Sequence, residues 1–284
     1  MRAIDVHVHP GCIEMAQASG KYAESAVRYF GLDPEKLLMS LEDTAKEYSE
    51  LDMMAVLIAW DAESNTGLPR LSNDFIANAV REFPEVFRGM ACVDPWKGKM
   101  AIAEVERAIG ELGLLGVKFQ QSAQGFYPDD MRFYPLWEKI CELGVPVMFH
   151  MGTTGFGAYA PGGHGIKLGY SKPIPHVDNV AADFPELTVI CAHPGWPWTD
   201  EVLAIAMHKT NVFIDLSGWS PKHIPEQIIR NANRGLGDRF MFGTDYPVLR
   251  PAYWVSEFEK SEFKEDVRPA ILLENAKKVL KIDV

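Results

Sequence analysis

Short apolar, β-branched runs alternate along this chain with longer stretches in which apolar side chains recur every three or four positions. The short runs predict strands at RAIDVHVH 2–9, MMAVLIAW 53–60, FRGMACVD 87–94, GVKFQ 116–120, VPVMFH 145–150, LTVICAH 187–193, NVFIDL 211–216 and RFMFGTD 239–245. Between them the helical period predicts a helix over 33–52, where Asp33 caps, Pro34 suits the first turn, and Leu37, Leu38, Leu41, Tyr48 and Leu51 form an apolar stripe. The stretches 100–113 and 133–144 read the same way, each stopping at a glycine before the next strand. FPEV at 83–86 and FPEL at 184–187 repeat one turn from helix into strand.

Eight strand and helix units in a chain of 284 residues are what a closed (β/α)8 barrel requires, and they predict a single domain over 1–284 with its active site at the carboxyl ends of the strands. A doubly wound open sheet is the alternative. It is disfavoured because no GxGxxG follows the first strand and polar groups stand at nearly every strand end. The long glycine- and aromatic-rich stretch 152–173 after the fifth strand is expected to be a lid or substrate loop.

Composition then narrows the function. At 47% hydrophobic the chain can bury a large core, and with 28 Lys plus Arg against 39 Asp plus Glu its formal charge is -11, without a basic cluster to grip a phosphate backbone. Nucleic acid is not an expected partner, and no apolar run has the length of a membrane span. Cys12, Cys92, Cys141 and Cys191 are scattered, with no CxxC pair, which fits free thiols in a reducing cytoplasm. A small molecule is the expected partner, and a homo-oligomer is compatible with the sequence.

The chemistry gathers at the strand ends. His7 and His9 close the first strand, at the i, i+2 spacing that places two side chains on one face of a strand. His150 closes the fifth strand, His193 the sixth and Asp245 the eighth, so a barrel would bring these groups to one mouth. His164 and His176 compete with His150, but His150 alone has a strand before it. Asp5 is expected on the face of His7 and His9, one layer deeper, as a supporting carboxylate.

IDVHVHP at 4–10, GVKF at 116–119, PVMFHMG at 146–152, FPELTVICAHPG at 184–195, FGTDYP at 242–247 and LLENAKKVL at 272–280 together resemble the amidohydrolase superfamily, in particular the branch that includes aminocarboxymuconate-semialdehyde decarboxylase. The resemblance implies that His7, His9, His150 and Asp245 hold one divalent metal while His193 stays free of it and acts on the substrate. Three imidazoles and a carboxylate suit Zn²⁺, with Mn²⁺ or another divalent ion as the alternative, and a bound water brought toward a pKa of ~7. Asp245 would then move the proton and His193 would polarise the reacting carbonyl. Lys118 stands where two-metal relatives carry a bridging carbamylated lysine; a substrate-carboxylate anchor or a buried ion pair is the preferred role.

Trp60, Phe119, Phe126, Tyr127, Trp196, Trp219 and Tyr246 lie at or just after strand ends, where they could hold a planar substrate, and Arg250 or Arg70 could bind a carboxylate. Substrate contacts are expected from Trp60, Lys118, Phe119, Trp196, Tyr246 and Arg250. The main expectation is hydrolysis of an ester, lactone, amide or β-keto bond in a small carboxylated or aromatic substrate. Non-oxidative decarboxylation of an aromatic or enoic acid is the alternative, and a non-catalytic metal- or ligand-binding barrel a distant third. His7 tilts the balance to hydrolysis, because several phenolic-acid decarboxylases replace it.

Overall fold

The computed structural model describes residues 1–284, the side chain of Lys36 excepted. All eight expected strands form: β1 Ala3–Val8, β2 Met53–Ile58, β3 Phe87–Met90, β4 Val117–Phe119, β5 Val147–His150, β6 Val189–Ala192, β7 Val212–Asp215 and β8 Phe240–Met241. Consecutive strands pair in parallel within β1 to β3 and within β4 to β8. Two seams close these sheets into a barrel. At the first, Lys118 donates its amide to Ala91 O at 2.8 Å, and at the second Val6 donates to Phe242 O at 3.0 Å and His9 to Tyr246 O at 2.9 Å. The architecture is the (β/α)8 barrel expected from the alternating runs.

Strands buried on both faces read as continuous apolar runs, which is why each was visible. Inside the barrel, Ile4, Val6, Met54, Val56, Ile58, Met90, Met148, Ile190, Phe213 and Met241 fill the space below the mouth, and Val279, Leu280 and Ile282 of the C-terminal segment pack against them. A second apolar layer, including Tyr48, Phe87, Trp137 and Trp254, lies between the barrel and its helices.

The expected helix over 33–52 is two helices, Pro34–Leu37 and Leu41–Glu50, because Ser40 takes an extended backbone and accepts the Asp43 amide as a new cap. A further helix, Ile13–Phe30, follows β1 and bends at Gly20. In β1 the pairing with β2 gains one residue between Asp5 and Val8. Such a bulge re-aims side chains. Asp5 is therefore turned toward the helix Leu41–Glu50, where Tyr48 donates to it at 2.7 Å, and not onto the face of His7 and His9.

Candidate metal centre

His7 emerges from the bulge of β1 with its ring fixed from behind. Its Nδ1 donates to Asp215 Oδ2, 2.9 Å away at the end of β7, so the neutral ring presents its Nε2 lone pair to the mouth. Asp245 Oδ1 lies 3.5 Å from His7 Nε2 and 3.4 Å from His9 Nε2. These three donor atoms all fall within 4.8 Å of one another. His9 Nδ1 is buried without a protein partner, so this ring is oriented only by what meets its Nε2.

The other two histidines form a pair, with His150 Nδ1 and His193 Nε2 3.0 Å apart. His150 Nε2 faces the Thr153 carbonyl at 3.1 Å and His193 Nδ1 faces the Ser217 carbonyl at 3.0 Å. Carbonyls only accept, and two neutral imidazoles carry two N–H groups between them. Once both hydrogens point outward, the facing atoms are two lone pairs at hydrogen-bond distance, an arrangement relieved by a cation on His150 and a hydroxyl donor on His193.

Burial lowers the pKa of both rings, that of His150 well below the ordinary value, so both are neutral, as a ligand must be. Burial, with Lys118 nearby, lowers His7 to about 3 against the pull of Asp215. Burial pushes Asp245 and Asp215 up, but the surrounding histidines win and hold both carboxyls below the usual range. The donor set and its protonation fit a divalent cation at His7 Nε2, His9 Nε2 and Asp245. His150 is the exception to the compact set, because its donor atoms are not among those within 4.8 Å of the His7, His9 and Asp245 group.

Two of these residues stand on strained backbone. His193 has φ 72 and Asp245 φ 61, in the left-handed region that non-glycine residues rarely adopt. Both turns are tied down: the His193 amide donates to Asp215 Oδ1 at 3.2 Å, and the Asp245 amide to His7 O at 3.0 Å. Gly218 makes room for them, since a Cβ there would lie 3.0 Å from His193 Nδ1 and 3.4 Å from Asp245 Oδ2.

Asp215 and Ser217 are functional residues that the sequence reading missed. Asp215 accepts from His7, from the His193 amide and from the Ser217 amide at 2.8 Å, while Ser217 Oγ lies 2.8 Å from His193 Nδ1. Their signal was a carboxylate closing the apolar run NVFID, the same signal that singled out Asp245.

Among the expected substrate contacts, Trp60 lies at the mouth, its ring centroid 6.3 Å from that of His9 and 5.1 Å from that of Phe156. Phe156 comes from the loop after β5, whose His164 also meets Tyr22 of the helix Ile13–Phe30, so this loop roofs the mouth. Trp196 is on the rim and 52% exposed. Lys118 points into the barrel, with Nζ 3.4 Å from His7 Nε2. Burial lowers its pKa to about 8, against the pull of Asp215 and Asp245.

Three expectations are corrected. Phe119 faces away from the mouth, buried against Phe126, Trp137 and Phe149, because neighbours on a strand point to opposite faces and Lys118 takes the inner one. Tyr246 is fully buried against Tyr48, with its hydroxyl 3.4 Å from Thr44 Oγ1. Arg250 is held by Glu47, with Nε donating at 2.9 Å, and lies over the Tyr246 ring.

The amidohydrolase family model matches residues 4–282. The chain belongs to the amidohydrolase family. It is 26% identical over 260 residues to the decarboxylase orsB of Emericella nidulans, covering 75% of this chain and 76% of that one. It is 24% identical over 273 residues to the gamma-resorcylate decarboxylase of a Polaromonas species, covering 82% of each. In structure it resembles a 5-carboxyvanillate decarboxylase from Novosphingobium aromaticivorans solved with manganese and 3-methoxy-4-hydroxy-5-nitrobenzoic acid. That match has a TM-score of 0.73 at 19% identity and covers 99% of this chain and 97% of the other. The expectation of a hydrolase is overturned by these relatives, which are named decarboxylases. It failed because both reactions use the same ligands, so the presence of His7 could not separate them.

Proposed function

We propose that this amidohydrolase-family enzyme is a metal-dependent, non-oxidative decarboxylase of a small aromatic or enoic acid. The likeness to relatives named decarboxylases supports the reaction, and the convergence of His7 Nε2 and His9 Nε2 on Asp245 Oδ1, under a roof of Trp60 and Phe156, supports its dependence on a metal. His7, His9, His150 and Asp245 would hold one divalent ion, and this donor set suits manganese, which a structural relative binds, as well as zinc. When bound, the ion supplies positive charge that draws in the substrate carboxylate and its neighbouring oxygen.

The protein's own groups do the rest. Trp60 and Phe156 present ring faces and edges to a planar acid and exclude water from it. Asp245 accepts the proton that the substrate's hydroxyl sheds and returns it to the carbon bearing the carboxylate. The carbon–carbon bond then breaks, its electron pair stays with the ring or enol, and CO₂ leaves. His193, neutral with its Nδ1 hydrogen on the Ser217 carbonyl, offers its Nε2 lone pair as the acceptor that orients the substrate's hydroxyl.

The test is a panel of hydroxybenzoic and carboxymuconate-type acids, each labelled with ¹³C in the carboxyl group, given to metal-free, manganese-loaded and zinc-loaded protein. Labelled CO₂ is expected from the loaded forms, and in D₂O one deuterium should appear at the vacated carbon. Turnover of esters or lactones without CO₂ from any acid would refute the reading.

A further inference from the structure

Lys118 is 2% exposed and is the lone lysine or arginine among the buried described residues. Its ammonium has three donors to place. Among the described residues its hydrogen-bond partner is His7 Nε2 at 3.4 Å, and no carboxylate oxygen comes within 4.0 Å of it. Lys97, in the loop after the preceding strand β3, shows the usual solution, with Asp61 at 2.7 Å and Glu63 at 2.5 Å. Asp215 and Asp245 act on it only from beyond contact, and a buried cation without a carboxylate at ion-pair distance is costly, so its place is explained by an anion that arrives.

The His7 contact cannot serve once the site is filled. His7 Nδ1 carries the hydrogen given to Asp215, so Nε2 has a single lone pair, which either receives Lys118 or serves as a ligand. With the lone pair committed to an ion, the ammonium faces the mouth without an acceptor.

Which substrate oxygen it meets follows from the direction of charge flow. Loss of CO₂ turns a carboxylate into a neutral molecule, so a cation fixed on that carboxylate would stabilise the reactant more than the transition state. A hydroxyl or oxo oxygen on the adjacent carbon behaves oppositely. After the carboxyl-bearing carbon takes its proton, the breaking carbon–carbon bond sends its electron pair through the adjacent carbon onto that oxygen. Charge there grows as CO₂ departs.

We propose that Lys118 is the specificity-determining anchor for the oxygen that the substrate keeps, adjacent to the scissile carbon. The proposal rests on the carboxy-lyase reading for the direction of charge flow. It selects acids with an adjacent hydroxyl or oxo group over plain carboxylic acids.

The experiment compares manganese-loaded wild type with Lys118→Met, which keeps an unbranched side chain one atom shorter and removes a buried charge, so the barrel is not put at risk. Binding of salicylate, 2-nitrophenol and benzoate is measured by calorimetry, with metal content checked in parallel. Lys118→Met should weaken salicylate and 2-nitrophenol by ~10- to 100-fold, the range for one charge-assisted hydrogen bond, and change benzoate by less than about threefold. Loss confined to the two carboxylates would put Lys118 on the departing group and overturn the proposal. Loss of manganese would make it a metal ligand, and unchanged binding, or no salicylate binding to wild type, would also overturn it. If the binding pattern holds while wild type releases no CO₂ from any adjacent-hydroxy acid, the anchor stands and the carboxy-lyase reading falls.

Discussion

Asp215→Asn isolates the group behind the metal site without touching a proposed ligand. Three donors meet Asp215 Oδ1, namely the His193 amide at 3.2 Å, the Ser217 amide at 2.8 Å and the Ser217 hydroxyl, whereas Oδ2 meets His7 Nδ1 alone at 2.9 Å. An asparagine keeps its oxygen where three donors converge and turns its amide NH₂ toward His7. Two N–H groups then face each other, and the ring escapes by moving its hydrogen to Nε2. That withdraws the lone pair aimed at the mouth. Relative to wild type, metal binding then proceeds without the His7 hydrogen bond to a charged acceptor, ~1.5–3 kcal/mol, which agrees with the ~10- to 100-fold losses found on removing groups that orient metal-bound histidines. Competition with a chromogenic chelator, with elemental analysis for stoichiometry, measures this directly. Manganese or zinc affinity within about twofold of wild type would refute the orienting role and the tautomer derived from it.

Two further perturbations probe the same region. Gly218→Ala places a methyl 3.0 Å from His193 Nδ1 on a backbone with φ +73, so turnover should fall at least ~10-fold and stability by ~1–2 kcal/mol, read by CO₂ release and urea denaturation; unchanged turnover would show that His193 has room to move. In metal-free protein, burial raises Asp5 from 3.8 to about 7, so its contribution to stability is lost as pH rises across that window, while His7, lowered from 6.5 to about 3, contributes stability that is lost as pH falls across its own. The two slopes oppose each other, each about 1.4 kcal/mol per pH unit, so Asp5→Asn should steepen the rise in stability between about pH 4.5 and 6.5 by one proton's worth; parallel profiles would contradict the buried, protonated Asp5.

The barrel was legible because parallel strands with both faces buried leave uninterrupted apolar runs, and because most runs ended in a residue with chemistry. The runs were read too long at their carboxyl ends: RFMFGTD pairs as a strand only over Phe240–Met241, since the chain then swings toward the left-handed turn at Asp245. The helix Ile13–Phe30 went unread because its sequence is rich in small and polar residues and bends at Gly20, which blurs the period. Phe119, Tyr246 and Arg250 were placed at the mouth on position along the chain alone. For Phe119, alternation from Lys118 already said otherwise. For the other two the deciding partners, Tyr48 and Glu47, lie on a helix about 200 positions away, beyond any local pattern.

The seam between β8 and β1 is built from the same residues as the candidate site. The Asp245 amide binds His7 O, the His9 amide binds Tyr246 O, and the Thr244 amide binds Asp5 across 239 positions of chain. The polypeptide is thus a belt, and His7, His9 and Asp245 are its buckle: the last strand to be made must return to the first before these three groups exist as a set. An ion held by all three would fasten that buckle, opposing the largest loop-closure entropy in the fold. Occupancy of the centre and integrity of the ring would then rise and fall together, so the first place to open when the ion leaves would be the join between the two ends of the chain.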